Sequence, residues 1–258
     1  MLKRHSSLYI ARFAIVSRNC KSDENQLPTF NDCNRKEDIP PLFLEINKNI
    51  SLQPQMDEYD KAIAITVYLR KHIKGGPGLG LSSDKALQLM LDGKGGVCSD
   101  HAQIFNIFCL LNDIKIREWG IVEKLCKPCY GHSINEIYST KYQKWILIDS
   151  GKSLCFSSGE GEPPFSVIEL FSQLRMGKPL HFFSVCRLGT NLKRINFTYS
   201  SQTIPFLITN YVNKDYDYYF NMFQDRLPSF AINALLILLR KNYRFLFVID
   251  DYKSKLFH

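Results

Sequence analysis

Gly93-Lys94-Gly95-Gly96-Val97-Cys98-Ser99-Asp100-His101-Ala102 is the stretch on which the reading of this chain turns. It is a glycine-rich turn that delivers one cysteine to the start of an apolar helix. After Cys98 the apolar residues Ala102, Phe105, Phe108 and Cys109 recur at three- and four-residue spacing, and Ile104, Leu110 and Leu111 widen the stripe, which predicts a buried helix. Cys98 then sits in the first turn. Unpaired backbone N–H groups and the positive end of the helix dipole favour an anion there, which eases formation of a thiolate and supplies a donor for a developing oxyanion. The preceding glycines let a substrate backbone come close. Taken alone, Cys98 is better read as a small buried hydrophobe behind a helix-entry turn. Its partners have to decide.

Downstream, Ile116 to Val122 reads as a strand, followed by two runs rich in β-formers, His132-Ser133-Ile134-Asn135-Glu136-Ile137-Tyr138 and Trp145-Ile146-Leu147-Ile148-Asp149. If Ser139 to Tyr142 is a four-residue hairpin loop, Tyr138 faces Gln143, Glu136 faces Trp145, Ile134 faces Leu147 and His132 faces Asp149. Directly opposed Cβ atoms stand roughly 5 Å apart, so this register puts an imidazole beside a carboxylate. A one-residue slip would break that pair. Cys98, His132 and Asp149 form a coherent chemical set. The cysteine is the candidate nucleophile, the histidine holds its thiolate as an ion pair and later protonates the leaving group, and the aspartate fixes the imidazole.

These blocks resemble the transglutaminase-like superfamily, whose catalytic core is papain-like. The similarity is carried by Gly96-Val97-Cys98-Ser99-Asp100-His101-Ala102 with its apolar helix, Ile114-Lys115-Ile116-Arg117 ahead of a strand, Gly131-His132, and Trp145-Ile146-Leu147-Ile148-Asp149. The helix Ser83 to Leu91 running into the glycines also looks like the family. The resemblance spans about Asp57 to Gly151. It implies an α+β fold in which a nucleophile-bearing helix packs on an antiparallel β-sheet, and a Cys-His-Asp site for thiol attack on an amide carbonyl. Two positions depart from the family pattern: Ile134 stands where a tryptophan commonly follows the histidine, and Ser150 where proline often follows the aspartate. Both are expected at the walls of the substrate site, leaving an open, wet acceptor side.

Rival readings use the same atoms. Cys126-Lys127-Pro128-Cys129-Tyr130-Gly131-His132 offers two thiols and an imidazole that could ligate zinc with Cys155, or a redox pair of thiols, although a single Cys-x-x-Cys lacks the second knuckle of a closed site and no thioredoxin-like pattern surrounds it. His101, one helical turn from Cys98, is an alternative base. The glycines at 75–80 and 93–96 lack the Gly-Lys-Ser/Thr sequence of a phosphate loop.

Beyond the core, 258 residues with 45% hydrophobic and 22% charged composition describe an ordinary globular chain. The formal charge of +8 is spread along the sequence, so no nucleic-acid partner is expected. Eight cysteines without a repeat fit a reducing, cytoplasmic setting. Arg12 interrupts the apolar stretch at the amino end, and Phe230 to Leu239 is too short to span a bilayer. Residues 1–56 read as an amino-terminal extension, 57–155 as the catalytic core and 156–258 as an α/β elaboration of the same domain. In that last part Phe165 to Met176 is expected to be helical, Phe182 to Leu188 and Arg194 to Tyr199 to be strands, Ser229 to Lys241 a helix and Phe245 to Ile249 a strand. The expected activity is cysteine-dependent acyl transfer on a peptide or protein amide, by a peptidase or amidase, without cofactor. The alternatives are an amine-accepting transglutaminase and a silent binding module that retains the fold.

Overall fold

From the amino end the chain forms α1 (Ser6–Val16), β1 (Ser17–Asn19), α2 (Pro41–Asn47), α3 (Glu58–His72), α4 (Ser83–Leu91), α5 (Cys98–Leu111), β2 (Ile116–Val122), β3 (Gly131–Ser139), β4 (Lys144–Ile148), β5 (Leu154–Ser157), α6 (Val167–Arg175), β6 (His181–Ser184), α7 (Leu192–Thr198), β7 (Ile204–Thr209), α8 (Asn213–Phe223), α9 (Ser229–Leu238), β8 (Arg244–Phe247) and α10 (Tyr252–Phe257). The computed structural model describes residues 6–123, 125, 131–186 and 192–257. Six strands make one sheet in the order β1-β8-β7-β2-β3-β4. Every pairing in it is antiparallel except β1 with β8. β5 and β6 form a separate two-stranded ribbon. The fold is therefore α+β.

Side-chain alternation along β3 and β4 divides the interior. Ile137, Ile146 and Ile148 face α5 and share a core with Phe105, Phe108 and Cys109, while Ile134 and Leu147 point the other way, into a core with Leu170 and Phe171 of α6. A third cluster packs α1, α8 and α9 on β7 and β8 through Phe13, Phe206, Tyr216, Ile232 and Phe245. Phe105 and Phe108 are completely buried, each contributing roughly 1.5–3 kcal/mol of apolar burial. This holds α5 rigidly with its amino end at the margin of the sheet. At α3, the Asp57 side chain accepts from Asp60 N at 2.8 Å, and acidic residues in the first turn with basic ones in the last complement the helix dipole.

Several local expectations are corrected. Ser139 pairs with Lys144 and Glu136 with Leu147, so the hairpin loop is 140–143, one residue later than the sequence suggests. Gln143 takes a left-handed φ of 52°, which closes the turn there. Each pairing moves by two residues, which leaves every side chain on its expected face. His132 and Asp149 therefore meet diagonally instead of directly opposite. The segment expected to be a strand from Arg194 is helical as α7, and β6 stops at Ser184. β7 carries Pro205, which argues against an interior strand, yet it pairs with β2 on one side and β8 on the other.

Candidate active site

The glycine turn before Cys98 is shaped by a neighbour from the chain itself. Gly76 N donates to Gly96 O and Gly96 N to Pro77 O, both at 2.8 Å, so the 75–80 and 93–96 segments lie backbone to backbone. A Cβ at Gly76 would stand 2.9 Å from Gly95 Cα, and one at Gly96 would stand 2.8 Å from Met90 Cγ with φ at +110°. Only glycine fits either place. Asp100 stitches this layer to the helix, its Oδ2 accepting from Val97 N at 2.9 Å and Leu79 N at 3.3 Å. Cys98 is thereby fixed as the first residue of α5, half-buried, between the exposed Val97 and Ser99.

At the start of β3, the His132 ring meets both of the other expected residues. Its Nε2 lies 2.7 Å from Asp149 Oδ2, and it hydrogen-bonds the Cys98 thiol. With Nε2 given to the carboxylate, Nδ1 is the nitrogen left for sulfur. The Ser133 backbone N–H donates to the same sulfur. Burial raises the proton affinity of the Cys98 thiol, but the hydrogen bond and charge of His132 and the Ser133 N–H outweigh it, so the thiol is more acidic than usual. Burial also opposes charge on His132, yet the Asp149 carboxylate overrides it and pushes the imidazole up to about 9. Asp149 itself is completely buried. The charges of His132 and Lys152 and the hydrogen bonds of His132 and Tyr199 overcome that burial and hold its carboxyl well below the ordinary range. An acidic thiol beside a basic imidazole is the arrangement that forms a thiolate–imidazolium pair.

Two groups around this chain of contacts are absent from the sequence-level reading. Tyr199, directly after α7, donates its hydroxyl to Asp149 Oδ2 at 2.6 Å. Lys152 donates its backbone N–H to Oδ1 at 2.9 Å and places its ammonium 3.5 Å from Oδ2. The second group is a polar layer between α5 and the sheet. Glu118 of β2 accepts from Gln103 and, at 3.0 Å, from Asn106; Asn106 Oδ1 accepts from Asn135 at 2.8 Å, and Ser150 Oγ donates to Asn135 Oδ1 at 2.8 Å. Burial pushes the Glu118 carboxyl up to about 8, so it is neutral at ordinary pH. Sequence offered a weak signal for this layer: Gln103, Asn106 and Glu118 are polar residues at inward positions of strongly apolar elements.

The rivals fare differently. His101 is buried against Gly75, with Nδ1 unpartnered; burial and the nearby Arg70 charge push it down to about 4, so it is a neutral packing group. Cys126 and Cys129 lie outside the described residues. Cys155 is completely buried and hydrogen-bonded to Tyr59, with its thiol pushed up to about 12 by burial. The expectation for Ile134 and Ser150 is overturned: both are buried, Ile134 in the core with Trp119 and Leu147 and Ser150 on Asn135, so neither forms a substrate wall.

A family model for the transglutaminase-like superfamily matches residues 46–150, a span that contains Cys98, His132 and Asp149. Over this segment the chain is similar to a transglutaminase-like core. No curated protein matches the chain. Among solved structures, a candidate cysteine protease from Cytophaga hutchinsonii is similar at 22% identity with a TM-score of 0.34, over 50% of this chain and 45% of that one. The likeness thus covers less than half of that protein. Tyr199 and Lys152 lie outside the transglutaminase-like match. Among the described residues no helix is long and apolar enough to cross a membrane.

Proposed function

We propose that the protein is a cysteine-dependent acyltransferase acting on amide bonds, with Cys98 as nucleophile, His132 as acid and base, and Asp149 as the group that orients His132. The observation that carries this reading is the continuous set of contacts from the half-buried Cys98 through His132 to a buried, ionised Asp149. The thiolate attacks the amide carbonyl carbon, and the carbonyl electrons move to oxygen beside the first-turn N–H groups of α5. When the C–N bond breaks, the proton on Nδ1 of the imidazolium goes to the leaving amine, and a thioester remains on Cys98. A second nucleophile then loses its proton to the neutral imidazole and attacks the thioester, expelling the thiolate and restoring the ion pair.

Water is the acceptor we favour, which makes the protein a peptidase or amidase. Exposed Val97 and Ser99 flank a half-buried Cys98, and a thioester open to solvent is hydrolysed before an amine competes. The amine-accepting transglutaminase is the second reading. The accessibility of Cys98 weighs against a silent binding module, which has no need of a reachable thiol. The test is intact mass spectrometry with glutamine-containing and other amide peptides in the presence of excess primary amine. A transient acyl adduct on Cys98 with free acid as product is expected. Stable amine conjugates would transfer the protein to the second reading, and no adduct on Cys98 with any amide would leave the binding module.

A further inference from the structure

We propose that Tyr199 is a positioning residue of this site, whose hydroxyl holds the Asp149 carboxylate on His132 against the competing pull of Lys152. The inference rests on the nucleophile reading of Cys98 and gives the chain beyond residue 150 a part in it. Three groups converge on one oxygen: His132 Nε2 at 2.7 Å, the Tyr199 hydroxyl at 2.6 Å and the Lys152 ammonium at 3.5 Å from Asp149 Oδ2. The carboxylate is completely buried, so solvent does not share its charge. Its other oxygen is tied to the Lys152 backbone N–H at 2.9 Å, which leaves rotation about that anchor as the remaining freedom. Lys152 is a second cation on a longer, more flexible stem, and its ammonium competes for the oxygen that must stay on a ring aligned with the thiol. Something has to keep the oxygen on the ring.

Tyr199 is built for that task. Its ring is 4% exposed and packs on Phe156 at a centroid distance of 4.5 Å, and its backbone N–H closes the last turn of α7 on Ile195 O at 2.9 Å. The same turn restrains the competitor, because Thr198 Oγ1 accepts from Lys152 Nζ at 3.1 Å while the ammonium lies 5.2 Å from the Tyr199 ring centroid. One helix end therefore supplies a donor to the carboxylate and a tether to the cation. Cys98, whose thiolate the test reads, is also coupled to Asp149, as are His101 and Cys155. Of these, His101 and Cys155 form the remaining surroundings. Both are kept neutral by burial, and Glu118, which faces Cys98 from β2, is neutral as well.

The test follows alkylation of Cys98 by iodoacetamide against pH, read by peptide mass spectrometry, and needs no substrate. Tyr199→Phe keeps the ring and its packing and removes the donor. Its Cys98 labelling at mildly acidic pH is expected to fall about tenfold, the scale of one charge-assisted hydrogen bond, and its thiolate to appear at higher pH. Adding Lys152→Met removes the competing cation, and Tyr199→Phe/Lys152→Met is expected to regain most of the lost rate. A generally loosened structure would give neither the pH shift nor the recovery. An unchanged profile for Tyr199→Phe, or a double variant no faster than the single one, overturns the positioning role while wild-type labelling leaves the nucleophile reading standing. Wild-type Cys98 labelling no faster than Cys186, which is also half-buried, overturns the nucleophile reading itself and this inference with it.

Discussion

Asp149 and Glu118 are two buried carboxyls that flank the same cysteine, yet one is held ionised and the other neutral. Burial pushes both toward the protonated form, so the difference comes from their partners. Asp149 meets an imidazole, an ammonium and a phenol, whereas Glu118 meets the amides of Gln103 and Asn106. A third carboxyl, Glu136, lies on the opposite face of the sheet from Glu118. It is bound by Arg117 at 3.3 Å, Trp119 Nε1 at 2.9 Å and Val167 N at 2.8 Å. Burial pushes the Glu136 carboxyl up to about 7 even with Arg117 beside it, so of the three only Asp149 is firmly ionised. Neutral Glu118 therefore adds no charge from β2 to oppose formation of the thiolate. Replacing partners one at a time breaks this pattern at different points.

The largest effect is expected at His132, which serves both the thiolate and the leaving group. His132→Ala should reduce acylation of Cys98 by an amide by roughly 10³-fold, within the range for a lost acid-base group. The rapid labelling of Cys98 at mildly acidic pH should disappear with it. In the wild type, acylation should decline as pH rises through about 9, because the imidazolium that protonates the leaving amine is then lost. A His132→Ala protein that still forms the acyl adduct at the wild-type rate would assign the acid to another residue.

On the far face of the sheet the expected loss is in stability. Arg117→Met leaves the Glu136 carboxyl buried without its cation and removes a guanidinium lying 3.4 Å from the Trp145 ring centroid. With the cation gone the Glu136 carboxyl takes up a proton at neutral pH, so the cost is expected at about 1–3 kcal/mol, that of a buried polar group left short of a partner. Urea unfolding at neutral pH measures it, and Cys98 labelling in the folded fraction should remain as in the wild type. A change under 1 kcal/mol would mean that Glu136 is satisfied by its neutral donors and that Arg117 contributes packing.

Asp149 separates orientation from charge. Asp149→Ala should cost roughly 10²-fold in acylation with the modification still on Cys98. Asp149→Asn should be milder than Ala, because an amide oxygen can still accept from Nε2–H and hold the ring, although the charge that keeps His132 protonated is lost. Equal rates for Ala, Asn and wild type would reduce Asp149 to a strand-end residue and remove its contrast with Glu118.

How much of this was readable from the residues follows from the range of the interactions. α5 and strand β2 rest on local periodicity, and the sequence reading places them within a residue or so. The face shared by His132 and Asp149 was legible for the same reason, since alternation survives a two-residue change of register. The offset itself was not, because it depends on the positive φ of Gln143, a residue with no turn signature. Tyr199 lies 50 residues from Asp149 in sequence, in a segment whose β-branched and aromatic residues mimic a strand. Ile134 misled in the opposite direction. Its position in the family pattern suggested a substrate wall, while the alternation of β3 sends it into the core.

The smallest effect on activity, and the sharpest on the comparison, is expected at Glu118. At neutral pH the carboxyl is already protonated, so Glu118→Gln should change Cys98 labelling by less than about twofold. The signature lies in stability against pH. In the unfolded chain the carboxyl titrates near 4.5, while in the folded protein it holds its proton up to about 8. Between those values the folded state carries a proton that the unfolded state has released, so this group makes the wild type progressively less stable as pH rises through that window. Glutamine has no such proton. The stability of Glu118→Gln relative to wild type should therefore climb from about pH 4.5 to about pH 8 and level off above. Glu136 and the Asp149 site are common to both proteins and cancel in the difference. Urea unfolding at a series of pH values measures it. Parallel curves would mean that Glu118 is ionised in the folded protein, and a carboxylate on the α5 side would then oppose the thiolate after all.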